Sequence, residues 1–193
     1  MRIAFFNTKG GTGKTTLAFN VAKDLNMFLI TNDGSTLENI YHNKVKIVKE
    51  LEVYDDSKVN IVYDLGNYLF SDVTKVLEYS HIVVIPTTLD PDAITKTIRT
   101  VQKIESYCGK IIIVVNRTES QTISKSHYIE SIAQLKKLGK ELFMLRKSEL
   151  MPNSMFQGET ILEQISTNPL TKRSATNFVM EYQNILYSIQ KGT

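Results

Sequence analysis

Eight consecutive residues, Lys9-Gly10-Gly11-Thr12-Gly13-Lys14-Thr15-Thr16, constrain this chain more than any others. They follow the apolar stretch Ile3-Ala4-Phe5-Phe6 and precede a helix-like run from Leu17 to Leu25. Strand, glycine loop and helix in that order form the context of a phosphate-binding loop. The glycines let the backbone curl until successive N–H groups face one anion, and the helix N-terminus adds partial positive charge. In such a loop Lys14 reaches the β- and γ-phosphates and the Thr15 hydroxyl holds Mg²⁺. The strict pattern has a glycine where this chain has Thr8, and in addition Lys9 stands directly before the glycine pair.

The rest of the sequence alternates between β-branched apolar runs and helical periodicity. Strands are expected at Arg2–Phe6, Phe28–Thr31, Asn60–Tyr63, His81–Ile85, Ile111–Val115 and Glu141–Leu145, while Val45–Val48 reads as a short strand or a turn. The runs at 81–85 and 111–115 are continuous rather than alternating, which marks strands buried on both faces. Helices are expected at 13–25, about 70–79, 91–107, 124–138 and about 171–190. This alternation predicts an α/β fold, a mostly parallel twisted sheet with helices on both faces. A length of 193 residues fits one domain with a sizeable core, so 1–193 reads as a single domain.

Composition excludes several classes. No apolar run approaches the roughly 20 residues of a membrane span, and the N-terminal run is too short for a signal peptide. The lone Cys108 precludes an intrachain disulfide, fits a reducing cytosol and reads as a small buried filler. His42, His81 and His127 are scattered without ligand spacing. Net charge is +3, but residues 1–96 carry −2 and residues 97–193 carry +5. That bias permits salt-sensitive contact with nucleic acid without demanding it.

The pattern KGGxGKTT, with a lysine at each end, resembles the deviant Walker A motif of the ParA/MinD ATPases, most nearly the small ParA-type partition proteins. The resemblance implies a P-loop NTPase fold in which ATP and Mg²⁺ bind across Lys9, Gly10, Gly11, Thr12, Gly13, Lys14, Thr15 and Thr16. It also implies that Lys9 reaches across a homodimer to the partner's ATP. Asn60-Ile61-Val62-Tyr63-Asp64 is similar to a Walker B strand, with Asp64 near Mg²⁺ and the Gly66 N–H near the γ-phosphate. The family's D-x-D-P-Q segment corresponds to Thr31-Asn32-Asp33-Gly34-Ser35, so Asp33 is the implied catalytic carboxylate and a further Mg²⁺-shell residue. Thr31 replaces the first aspartate and Gly34-Ser35 the Pro-Gln, a departure that bears on hydrolysis more than on binding. Asn32-Asp33-Gly34 also has the composition of an ordinary turn. Asn116 and Arg117 resemble the adenine-reading position, and Met151 and Pro152 the loop that closes over the base or ribose. Pro86 to Ala93 resembles the segment beside the dimer interface, and Asp90-Pro91 has the chemistry of a helix N-cap followed by its first residue.

Residues 96–147 contain 11 lysines and arginines against 4 glutamates. By resemblance, a dimer would present Lys125, Lys136, Lys137, Lys140, Lys172 and Arg173 to non-specific duplex DNA; a solvated helical face is the alternative reading. MinD relatives end instead in a basic helix that lies on membrane. Here the C-terminal stripe Phe178, Val179, Tyr182, Ile185, Leu186 and Ile189 has few cations opposite it, which predicts a helix docked on the core. Taken whole, the resemblance implies a cytoplasmic, nucleoid-associated ATPase with weak basal turnover. It would segregate a plasmid or chromosome with a small centromere-binding, ParB-like partner and without membrane contact. A nucleotide switch that positions a protein cargo without touching DNA is the rival reading.

Overall fold

The computed structural model describes residues 1–32, 37–54, 58–106, 108–119 and 125–192. Within them seven strands form one sheet: β1 (Arg2–Phe5), β2 (Phe28–Thr31), β3 (Val45–Ile47), β4 (Ile61–Asp64), β5 (Ile82–Thr87), β6 (Lys110–Thr118) and β7 (Glu141–Arg146). Their order is β3-β2-β4-β1-β5-β6-β7, and every neighbouring pair is parallel. The expected sheet is therefore present, with β1 at its centre.

Period-two alternation sorts the side chains of each strand onto two faces. Ile3, Phe5, Leu29, Val62, Val84 and Val114 join one apolar core, and Ala4, Phe6, Ile30, Tyr63, Ile85 and Val115 join the other. The first core is covered by α1 (Lys14–Asp24), α2 (Leu37–Ile40), α6 (Leu150–Gln157), α7 (Ile161–Thr167) and α9 (Thr176–Lys191). The second is covered by α3 (Ser71–Tyr79), α4 (Pro91–Ile104) and α5 (Ser126–Lys136). A short α8 (Pro169–Ser174) joins α7 to α9.

Most boundaries fall within a few residues of expectation, with three informative departures. The helix expected at 171–190 is split at Ala175 (φ −104°, ψ 12°), and the part before the break is a separate α8 whose start the Asn168 carboxamide caps by accepting from the N–H groups of Leu170 and Thr171. The helix expected from 13 starts at Lys14, since Gly13 has a left-handed φ of 89°. β6 runs beyond Val115 to Thr118 through a register shift. The expected stripe on the last helix is buried throughout, from Phe178 to Ile189. Among the described residues no helix is long and apolar enough to cross a membrane. Cys108 is partly buried, and burial pushes its thiol up to about 12.

Candidate nucleotide site at the carboxyl edge of the sheet

In a parallel sheet the strand ends and helix starts meet at the carboxyl edge, and there the residues with chemistry gather. β1 delivers the chain into Asn7, which is fully buried. The Asn7 carboxamide donates to the Pro86 carbonyl and to Thr97 Oγ1, both at 2.9 Å, and its Oδ1 accepts from the Lys9 N–H at 3.0 Å. One side chain thus ties the start of the glycine loop to β5 and α4. Thr8, at the position of the missing glycine, contacts the Thr100 hydroxyl on α4 at 2.9 Å.

Two neighbours explain why the loop needs glycine. A Cβ on Gly13, besides straining a backbone at φ +89°, would lie 2.4 Å from Asn116 Nδ2. A Cβ on Gly10 would lie 3.0 Å from Asn67 Nδ2. Lys14 is 6% exposed, and its ammonium donates to Asn67 Oδ1. The Thr12 hydroxyl is buried without a hydrogen-bond partner among the described residues. Thr15 and Thr16 are partly exposed on the first turn of α1.

On the β2–β4 side, Thr31 and Asp64 are fully buried and paired in register. The Thr31 hydroxyl donates to Asp64 Oδ2 at 3.2 Å. A threonine in place of an aspartate therefore leaves Asp64 without a second carboxylate at this register. Beyond Asp64, the Gly66 N–H donates to Asn32 Oδ1 at 2.7 Å. Asp33, the expected catalytic carboxylate, lies outside the described residues.

On the β6–β7 side the structure forms a cavity of about 500 Å³, lined by Gly13, Thr16, Asn116, Arg117, Met151 and Pro152 among others. All four residues expected to contact the base or ribose line this one cavity, beside the glycine loop, although Met151 and Pro152 do so from the first turn of α6 and not from the expected loop. Asn116 is buried and donates to the Thr12 carbonyl at 3.2 Å, while its Oδ1 accepts from the Arg117 N–H at 2.9 Å. Arg117 adopts a left-handed φ of 58°, an uncommon conformation for a residue with a long side chain. It sits in the register shift, is exposed, and lines the cavity. Asn20 of α1 braces this side: its amide donates to Thr16 O and Ser154 Oγ, and its Oδ1 accepts from the Ile161 N–H, each at 2.8 Å.

The match to family models falls on this framework. Residues 3–161 match the CobQ/CobB/MinD/ParA nucleotide-binding domain. The chain belongs to that family. Similar solved structures include apo McdA from Cyanothece (15% identity, TM-score 0.73, 97% of this chain and 98% of that one). Another is the septum site-determining protein MinD with Mg-ADP from Pyrococcus horikoshii OT3 (13% identity, TM-score 0.68, 100% and 98%). A third is a Borrelia burgdorferi B31 protein assigned to plasmid partition and bound to AMPPNP (16% identity, TM-score 0.67, 100% and 99%). At these identities the likeness is one of fold. No curated protein matches the sequence.

For a CobQ/CobB/MinD/ParA nucleotide-binding domain, the residues present suit a triphosphate and its metal. A glycine loop that side chains would fill, a buried hydroxyl without a partner and a preformed cavity beside them are the features such a ligand requires. Of the residues expected around Mg²⁺, Thr15 on the first turn of α1 and Asp64 at the end of β4 are the described ones that would hold it. Among the described residues no group of three or more His, Cys, Asp and Glu has the clustering of a metal site.

The extra lysine of the loop behaves differently from Lys14. Lys9 Nζ lies 3.0 Å from Asp92 Oδ2, and Lys96 shares that carboxylate at 3.1 Å. The Asp92 carboxylate raises the Lys9 pKa, and the two ammoniums hold the Asp92 carboxyl below its usual range. Asp92 is placed by the start of α4, where Pro91 is the first residue and Asp90 caps by accepting from the Ala93 N–H at 2.9 Å. The N-cap chemistry expected at 90–91 is present.

The six residues expected to face DNA are divided. Lys125 is exposed at the N-cap of α5, on the carboxyl edge with Arg117. Lys136 and Lys137 are exposed at the other end of that helix, and Lys140 follows just before β7, at the amino edge. Eleven helical residues separate the groups by about 16 Å. Lys140 also pairs with Glu105 at 3.1 Å. Arg173 is exposed on α8; Lys172 lies in the same helix, and its side chain is outside the described residues.

Sequence reading missed Asn7, Asn20, Asn32 and Asn67 as parts of the site. Asparagine in a loop reads as turn chemistry, and only adjacency to the glycine loop, to Asp33 or to Gly66 could have marked three of them.

Proposed function

We propose that this chain is an ATPase of ParA/MinD type that dimerises on ATP, hydrolyses it slowly with Mg²⁺, and segregates DNA with a small centromere-binding partner. The observation that carries the reading is the loop Lys9–Thr16, with the Lys14 side chain buried, the Lys9 side chain turned out to Asp92 and a cavity of about 500 Å³ alongside. In this reading Lys14 and the Gly66 N–H take the charge of the transferring phosphoryl group, and Asp33 orients the attacking water. Bound Mg²⁺ would neutralise phosphate charge. Asn116 reads the purine edge through its amide, and Arg117 packs beside the base. Lys9 leaves Asp92 and contacts the nucleotide of the second subunit, so turnover is slow wherever the dimer is short-lived.

The nucleotide switch that carries a protein cargo without DNA is favoured by one observation: the basic candidates at the two ends of α5 face opposite edges of the sheet, and Lys140 is already paired. Sedimentation of Asp33→Ala protein with ATP·Mg²⁺ or ADP, with and without duplex DNA at two salt concentrations, separates the readings. An ATP-only dimer that co-sediments with DNA in a salt-sensitive way supports the partition cycle. A dimer indifferent to DNA supports the cargo switch. A monomer under every condition overturns both.

A further inference from the structure

Two donors that would meet the terminal phosphates are engaged by side-chain amides of this chain. The Lys14 ammonium donates to Asn67 Oδ1 and the Gly66 N–H donates to Asn32 Oδ1. The Asn67 amide also stands over the mouth of the loop, with its Nδ2 3.0 Å from where a Gly10 Cβ would lie. A carboxamide oxygen and a phosphate oxygen accept from the same N–H donors, so each amide occupies a place that a phosphate oxygen would take.

We propose that Asn67 and Asn32 are built-in stand-ins for the terminal phosphates, and that displacing them sets how strongly this chain favours a nucleoside triphosphate over a diphosphate. The inference rests on the nucleotide-binding reading above. The two amides act on different phosphates. Lys14 serves the β- and γ-positions, so Asn67 opposes diphosphate and triphosphate alike. The Gly66 N–H serves the γ-position alone, so Asn32 opposes only the triphosphate. Apparent affinity falls by the fraction of molecules in which the donor is free, and removing either amide removes that penalty. Asn67 directly precedes the aromatic pair Tyr68 and Phe70, which are stacked at 5.7 Å and exposed.

The test is calorimetric titration of wild-type protein, Asn67→Ala, Asn67→Asp and Asn32→Ala with Mg-ADP and with Mg-AMPPNP. Asn67→Ala is expected to tighten both ligands about three- to tenfold, and Asn32→Ala to tighten AMPPNP alone by a similar factor. Asn67→Asp is expected to weaken both at least tenfold, because a carboxylate grips Lys14 harder and repels phosphate. A residue that only supports the fold would move affinity downward in both Asn67 variants, and that result overturns the inference. So does an unchanged AMPPNP-to-ADP ratio in Asn32→Ala. Wild-type protein that binds neither ligand defeats the nucleotide reading itself, an outcome distinct from wild-type binding with variants that fail to tighten.

Discussion

The two flanks of the glycine loop are built on opposite plans. On the β6–β7 flank a cavity stands open, walled by Asn116 and Arg117 and braced by Asn20 through three hydrogen bonds. On the β2–β4 flank the donors are closed over by amides, Asn67 on Lys14 and Asn32 on Gly66. In the proposed nucleotide site, the first flank offers a base an open cavity, whereas the second would give up internal hydrogen bonds to accept a phosphate. A molecule built this way would separate holding a nucleotide from sensing how many phosphates it carries.

The sharpest way to break that comparison is at its shared centre. Lys14→Ala should cost AMPPNP affinity on the order of 100-fold by calorimetry, as expected for one charge-assisted contact to phosphate. Undiminished binding would remove the loop from the site. Next in size, Gly13→Ala should destabilise the protein by about 2–3 kcal/mol through left-handed strain and collision with Asn116, lowering the melting midpoint by roughly 4–10 °C. Gly66→Ala on the other flank should change the midpoint little, because its Cβ would meet Asn32 only at 3.5 Å. Equal losses at the two glycines would erase the contrast between a rigid flank and a movable one. Smaller again, Asn116→Ala should relieve Gly13→Ala by about 1 kcal/mol in the double variant, which a thermodynamic cycle measures.

A spectroscopic probe sharpens the movable side. The chain has no tryptophan, so Tyr68→Trp reports from the closed flank alone; its emission should shift with ADP, as Asn67 leaves Lys14, and shift further with AMPPNP, which displaces Asn32 as well. The smallest effect on the fold belongs to Lys9. Its ion pair with Asp92 is exposed, so Lys9→Ala should leave the melting midpoint within about a degree while abolishing the proposed ATP-dependent dimer, which sedimentation would read. A dimer that survives would end the cross-subunit role.

The sequence revealed these flanks unequally. Continuous runs such as Ile111–Val115 announce buried parallel strands because nothing but double-sided burial tolerates them, and the glycine loop announces itself by register. Asn116, Arg117, Met151 and Pro152 were legible as one site only through resemblance, since 33 residues of chain separate Arg117 from Met151 and nothing local joins them. Asn67 and Asn32 were illegible for a different reason: their role depends on which N–H lies opposite, a tertiary fact with no periodic trace. The split at Ala175 was hidden too, because an apolar stripe says where a helix is buried and not where its backbone breaks.

The central position of β1 has a consequence for synthesis. The glycine loop is translated before either strand that frames it, since β4 closes at Asp64 and β5 at Thr87. A nascent chain shorter than that carries the eight signature residues with no wall on either side, and Asn7 has neither Pro86 nor Thr97 to grip. Both walls of the loop therefore arrive late, together with the sheet, so the geometry around the eight residues is a product of the finished core and not of the local sequence.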